Sequence, residues 1–392
     1  MLNYKIKIGL IPDVRDLGDF ATRKGIFEPA KGVDRKNDVV KYIKNNFTDE
    51  QTEFTDLEWL NELGVLYKNA DCEKVCEYLK KEKVDAIFII NCNFGNEEAC
   101  GRVAKEMGLP VLLWGPQDTV FDEDGMRYTD SQCGLFAISK QLRRYHVPFT
   151  YIENCTAESK IFKAGFEKFS SVVTMVKNFK NLNVVQVGTR LTPFKSVMFN
   201  ELELTEKFGI NMNNLNLAQF EEKFNKLISS KSNELAKDIT DLKKKYNVDG
   251  LDDETLKKLL TFVYVYKEIT DETGADVLSS ECWTAMPLAV GANPCLAMSI
   301  LYDMGYIVAC ESDVHGAITC ALLSCASRGK AAPLFGEFTA RHPENRNAEL
   351  LWHCGQFAYS ARKKGSFCRC FNMRENFEAE SGHYTVARID QD

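Results

Sequence analysis

Short, wholly apolar runs separated by amphipathic stretches constrain this chain more than any other feature. "VDAIFII" (84–90) and "PVLLWG" (110–115) show no alternation of polar and apolar residues, which marks strands covered on both faces. Between them, "EEACGRVAKEMG" (97–108) reads as a helix closed by Gly108. Strands "YKIKIGLI" (4–11) and "PFTYIE" (148–153), with helices "CEKVCEYLKKEK" (72–83) and "SQCGLFAISKQLRRY" (131–145), complete a first series. Strand–helix alternation at this spacing predicts a parallel sheet with right-handed crossovers.

A second series follows. A helix over 157–180 leads to strand "NVVQVG" (183–188) and a helix opening at Pro193. The Lys/Glu-rich stretch from 217 to 247 reads as a solvated helical face without chemistry. Helix 254–272, strand "ADVLSSE" (275–281), helix "PCLAMSILYDMG" (294–305), strand "YIVACE" (306–311) and helix 316–328 come next. After "SRGK" the texture turns to mixed polar and aromatic segments such as "FCRCFNM" and "HYTVARI", read as short strands. The expected fold is α/β: two Rossmann-like doubly wound parallel-sheet domains, residues 1–160 and 161–330, the second carrying an acid pair. A short, apparently incomplete β-rich C-terminal region, 331–392, completes it.

The 392 residues suffice for two or three domains. A net charge of −7 with only five histidines argues against a nucleic-acid partner. "MLNYKIKIGLIPDV" lacks the apolar core of a signal peptide, and no run approaches the ~18 apolar residues of a membrane span. The expected location is the cytoplasm. The 14 cysteines are scattered and form no C-x-x-C pair, so reduced, small apolar residues are expected rather than disulfides or a zinc framework. G-x-G-x-x-G after a strand, the P-loop and G-x-S-x-G are all absent.

The chemistry therefore has to come from elsewhere. Glu281 ends strand 275–281, and Asp313 lies just past strand 306–311. One helix joins the two strands in a βαβ unit, so both acids emerge at the carboxyl edge of the sheet, where open α/β sheets bind ligands. Two acids there suit a hard divalent cation, Mn²⁺ or Mg²⁺. Asp313 equally suits the N-cap of the following helix, and Glu281 a solvated strand end. Glu311 is in phase with Asp313 and competes with it for the ligand role, while His315 fits a first-turn polar residue. His353 in "LLWHCGQFAYSARKKG" (350–365) would complete an oxygen/nitrogen ligand set, or be a satisfied interior histidine. Trp283 and Trp352 flank these positions and suit either sugar stacking or core packing. Arg15 and Trp114 are binding candidates only through their place at strand ends.

The runs "ECWTAMP" (281–287), "ESDVHGAITCALL" (311–323), "APLFGEF" (332–338) and "HCGQFAYSARK" (353–363), with "NCNFGNEEA" (91–99), resemble the L-fucose isomerase/L-arabinose isomerase family. The resemblance implies a cytoplasmic, metal-dependent aldose–ketose isomerase, usually with Mn²⁺, forming homo-oligomers. It implies that Glu281 and Asp313 are the metal-binding, proton-transferring acids, and that His353 is a ligand in the arabinose branch. His353 and Gln356 would then lie in a segment lining the sugar pocket. The family's C-terminal domain continues further and supplies a late histidine, a position that His383 does not match. The expected reaction moves the C2 proton to C1 through a cis-enediol on a fucose- or arabinose-like sugar, while modified hexoses such as sulfoquinovose are equally open. The rival readings are a metal-dependent aldolase or epimerase, and a non-catalytic sugar sensor.

Overall fold

The computed structural model describes residues 1–15, 24–118, 125–365, 368–371 and 374–390. It divides into two compact units, residues 4–177 and residues 1–3 with 178–392. The first unit has five parallel strands in the order β2-β1-β3-β4-β5: β1 Ile6–Asp13, β2 Thr52–Thr55, β3 Ala86–Asn91, β4 Val111–Trp114 and β5 Phe149–Tyr151. Helices α1 (Pro29–Phe47) and α5 (Lys160–Phe179) supply residues to one apolar layer, and α2 (Cys72–Lys81), α3 (Glu97–Met107) and α4 (Ser131–Arg144) to the other.

Strand β3 explains its own lack of alternation. Ala86, Phe88 and Ile90 enter the layer with Phe162 and Phe166 of α5, and Ile87 and Ile89 enter the layer with Val75 and Val103. With both faces covered, every position is apolar. Asn96 caps α3 by accepting from the Ala99 amide, and Gly108 closes that helix at φ 60°, the ending expected from sequence.

The second unit has a four-stranded parallel sheet ordered β7-β6-β8-β9: β6 Asn183–Val187, β7 Asn211–Leu215, β8 Val277–Ser280 and β9 Val308–Ala309. Around it lie α6 (Glu201–Phe208), α7 (Leu217–Ser230), α8 (Ser232–Lys245), α9 (Asp253–Thr273), α10 (Ala285–Val290), α11 (Cys295–Asp303) and α12 (Val314–Ala326). Two antiparallel hairpins follow: β10 (Glu337–Arg341) with β11 (Glu349–Trp352), and β12 (Cys368–Phe371) with β13 (Arg374–Phe377).

Three local expectations shift. The helix expected at Pro193 starts instead at Glu201, after a 3₁₀ turn over Lys195–Val197, where Asn200 offers its side chain as cap. β7 is a strand that sequence reading passes over, because "NMNNL" lies at the sheet edge with no residue buried. β9 is only two residues long, since Glu311 (φ 65°) and Ser312 (φ 55°) turn left-handed and end it.

Asp13, at the end of β1, is fully buried; its Oδ2 accepts from the Asn96 amide at 2.7 Å, and its Oδ1 has no hydrogen-bond partner among the described residues. Burial pushes this carboxyl up to about 7, against the pull of the Asn96 amide. An unfolded aspartate ionises near ~3.9. Between about pH 4 and 7, therefore, the unfolded chain has lost a proton that the folded chain keeps, and stability falls as pH rises through that window. Asp13→Asn retains an acceptor for Asn96 and should remove this decline. The unfolding free energy of the variant is expected to gain on the parent's from about pH 4.5 to 7.5, by at most roughly 4 kcal/mol in urea unfolding; parallel curves would exclude the effect.

Candidate functional site at the carboxyl edge of the second sheet

The second sheet reverses its winding between β6 and β8, and open α/β sheets bind ligands at such a crevice. Glu281 stands there. Its amide donates to the Val187 carbonyl at 2.8 Å. Gly188 follows β6 at φ +71°, where a Cβ would meet that of Glu281 at 2.9 Å, so glycine is needed both for the backbone and for the space. The carboxylate turns onto the start of α10. Oε1 accepts from the amides of Trp283 (3.3 Å), Thr284 (2.8 Å) and Ala285 (3.0 Å) and from the Thr284 hydroxyl (3.2 Å), while Oε2 accepts, among the described residues, only from the Met286 amide (2.7 Å). Among those residues one lone pair of Oε2 remains available.

Register pairs Ser279 of β8 with Ala309 of β9, so the residues after both strands leave at the same edge. The left-handed pair Glu311–Ser312 is pinned where the Ser312 amide donates to the Ser280 carbonyl at 3.0 Å. Asp313 then caps α12, accepting from the Gly316 amide at 2.9 Å. Its carboxylate is also gripped by the Arg388 guanidinium, at 2.6 Å from Nη1 and 3.2 Å from Nη2. His315 is buried in the first turn of α12, with neither ring nitrogen hydrogen-bonded; the Asp390 carboxylate lies 3.5 Å from Nδ1.

Glu311 goes another way. Its carboxylate, the His353 ring and the Glu337 carboxylate present donor atoms within 4.8 Å of one another, and His353 Nε2 lies 3.9 Å from Glu311 Oε1. No other partner of the Glu311 carboxylate is seen among the described residues. Burial pushes it up to about 7, against the pull of His353 and with the push of Glu337. Burial alone would lower His353, but Cys354 and the two glutamates hold its imidazole above the usual range. Its Nδ1 faces the Cys354 sulfur at 3.6 Å, and Phe335 packs edge-on at 5.2 Å. Hydrogen bonds from Cys295 and Cys310 hold the Cys354 thiol far below its ordinary value.

Two oxygens and one imidazole nitrogen form the ligand set of a hard or borderline divalent cation. Of the residues that the sequence points to, Glu311 and His353 enter this cluster, while Glu281 and Asp313 lie along the same edge with other polar partners. Glu337, in "APLFGEF", carries no sequence signal of a ligand role.

Gln356 is fully buried. Its Oε1 accepts from the Cys310 amide at 3.1 Å, and its Nε2 donates to the Val308 carbonyl at 2.8 Å. The side-chain amide thus substitutes for a further strand on the open edge of β9. Trp283 is 53% exposed and leans on Phe194 at 5.4 Å between ring centres, and Trp352 is 39% exposed. Arg15 and Trp114 belong to the first unit. There Arg15 pairs with Glu97 at 2.5 Å and lies over the Phe94 ring, and Trp114 is buried against Phe162.

Residues 18–180 match the family described as fucose/sulfoquinovose isomerase, N-terminal domain. Over 319 residues the chain is 24% identical to a sulfoquinovose isomerase of Priestia aryabhattai, covering 79% of this chain and 70% of that protein. A sulfoquinovose isomerase of Alkalicoccus urumqiensis is 25% identical over 312 residues, covering 78% and 69%. These matches support a fucose isomerase-like family for the chain. It is an aldose–ketose isomerase of carbohydrate metabolism. No helix among the described residues is long and apolar enough to cross a membrane. A solved solute-binding protein of Bacillus halodurans with bound myo-inositol aligns at 13% identity and a TM-score of 0.19, over 82% of this chain and 89% of that one, too weak to carry an argument.

The position of this edge depends on Gln356. Gln356→Leu keeps the volume but orphans the Cys310 amide and the Val308 carbonyl, each at about 1–3 kcal/mol. The second unit should lose about 2–5 kcal/mol in urea unfolding; a loss under about 0.5 kcal/mol would show that the amide is not needed there.

Proposed function

We propose that this protein interconverts an aldose and its ketose with the help of a divalent cation, Mn²⁺ or Mg²⁺, bound at the carboxyl edge of the second sheet. The observation that carries this reading is the convergence of Glu311, Glu337 and His353 within 4.8 Å. The donor set fits a cation, and among the described residues the half-buried Glu311 carboxylate has only the His353 imidazole, 3.9 Å away, to offset its charge. When bound there, the cation would polarise the sugar oxygens and lower the cost of enediolate charge.

The remaining work falls to the chain's own groups. Glu281 Oε2, with a free lone pair, is the base that we assign to take the C2 proton and return it to C1 through a cis-enediol. The amides on Oε1 hold that carboxylate in one orientation. Asp313, as the second acid of the edge, would orient sugar hydroxyls together with Arg388. The exposed Trp283 ring offers a stacking face for the C–H side of a sugar. The substrate class is a fucose- or arabinose-like aldose, with sulfoquinovose included because the relatives are named for it. A cytoplasmic homo-oligomer belongs to the same reading.

A panel of L-fucose, L-arabinose and sulfoquinovose, supplemented with Mn²⁺ and assayed for ketose, tests it. Chelation should remove turnover and Mn²⁺ should restore it. Glu337→Gln changes an exposed side chain and should cut Mn²⁺-dependent turnover at least tenfold without altering the fold. Glu281→Gln should cost about 10²–10⁴ in kcat. Turnover that survives both substitutions would end the assignment.

A further inference from the structure

His353 has a second face, and it is lined with sulfur. Cys310, His353 and Cys354 place their donor atoms within 4.8 Å of one another. Cys295, the first residue of α11, brings its sulfur to 3.5 Å from that of Cys354. His353 Nδ1 lies 3.6 Å from the same sulfur. A tetrahedral zinc site, with Zn–S of about 2.3 Å and Zn–N of about 2.0 Å, has ligand atoms separated by roughly 3.5–3.8 Å. The contact between His353 Nδ1 and the Cys354 sulfur matches that spacing closely. Cys282, at 2.9 Å from Cys310, is too near to share the same tetrahedron and suits a thiol donating to the Cys310 sulfur. Cys295 and Cys310 are buried and Cys354 is partly exposed, which gives a cation its way in.

We propose that Cys310, Cys354 and His353 Nδ1 form a site for one thiophilic divalent cation of the Zn²⁺ kind, with an exogenous ligand completing the tetrahedron and Cys295 hydrogen-bonded to the Cys354 sulfur. Thiolates and imidazole favour such ions, whereas the carboxylates across the ring favour Mn²⁺ or Mg²⁺. The two faces of one histidine would therefore sort cations by softness. A neutral imidazole has a single lone pair, on either Nδ1 or Nε2. Occupancy of the sulfur face would therefore take His353 away from the oxygen face, a consequence that rests on the function proposed above; the sulfur site itself does not.

The test uses the full chain, reduced and freed of metal by chelation, titrated with Co²⁺ as a spectroscopic stand-in for Zn²⁺. The expected result is a sulfur-to-cobalt charge-transfer band that saturates at one equivalent and is erased by one equivalent of Zn²⁺. Cys354→Ser should weaken Co²⁺ binding at least tenfold and cut the band, with its metal-free circular dichroism checked against the parent to show folding. Glu337→Gln should leave the band intact, even where it lowers Mn²⁺-dependent turnover. No band in the reduced parent chain, or an undiminished band in a folded Cys310→Ser/Cys354→Ser double variant, overturns the proposal.

Discussion

The early end of β9 is the constraint on which the edge depends. Glu311 and Ser312 sit consecutively at positive φ, a conformation that costs a non-glycine residue on the order of 1 kcal/mol or more. Several bonds offset that cost: the Ser312 amide to the Ser280 carbonyl, the Asp313 amide to the Cys310 carbonyl, and the Gln356 amide along the strand. A strand that ran straight through "ACESD" would point Glu311 and Asp313 to one face. The reversal instead sends Asp313 to the start of α12 and Glu311 toward His353 and Glu337. Cys310, the last residue before the break, is left facing the other sulfurs.

Each unit carries an acid at the switch point of its own sheet, and the two are treated differently. Asp13 ends β1 and receives one amide, with its second oxygen unpartnered among the described residues. Glu281 follows β8 and meets the opening turn of α10, whose amides have no partners within the helix. The first acid is kept close to neutral by burial, and the second is kept in place by donors. A helix begins beside both acids; what differs is the number of amides each receives, one from the α3 cap for Asp13 and four around the start of α10 for Glu281.

The layered architecture was legible because burial on both faces leaves no position for polar residues in β3 or β4. What was not legible shares one cause, namely that it is decided by long-range partners. β7 reads as a loop because its asparagines lie at a sheet edge, where β6 alone supplies the ladder. The choice between Glu311 and Asp313 as ligand turns on two backbone angles that no residue type at 311 or 312 signals. Nothing in "HCGQF" signals that the Gln356 amide is engaged by Cys310 and Val308. The cysteines at 282, 295, 310 and 354 show no metal spacing, since four separate elements bring them together. Arg388 lies 75 residues from the acid that it neutralises.

That arginine distinguishes the acids of the second unit. A buried carboxylate needs hydrogen bonds, a cation or its proton. Asp313 already has a guanidinium and a helix start, so a divalent ion arriving there must displace Arg388 from two oxygens and leave the arginine without its partner. Glu281 has its amides. Glu311 has an imidazole at 3.9 Å and a second carboxylate that raises it further. A cation placed between Glu311 and Glu337 relieves a repulsion and displaces only protons of Glu311 and His353, whereas at Asp313 it must displace Arg388 from an ion pair that already exists. The electrostatic gain of hard-cation binding is therefore larger at Glu311 than at Asp313.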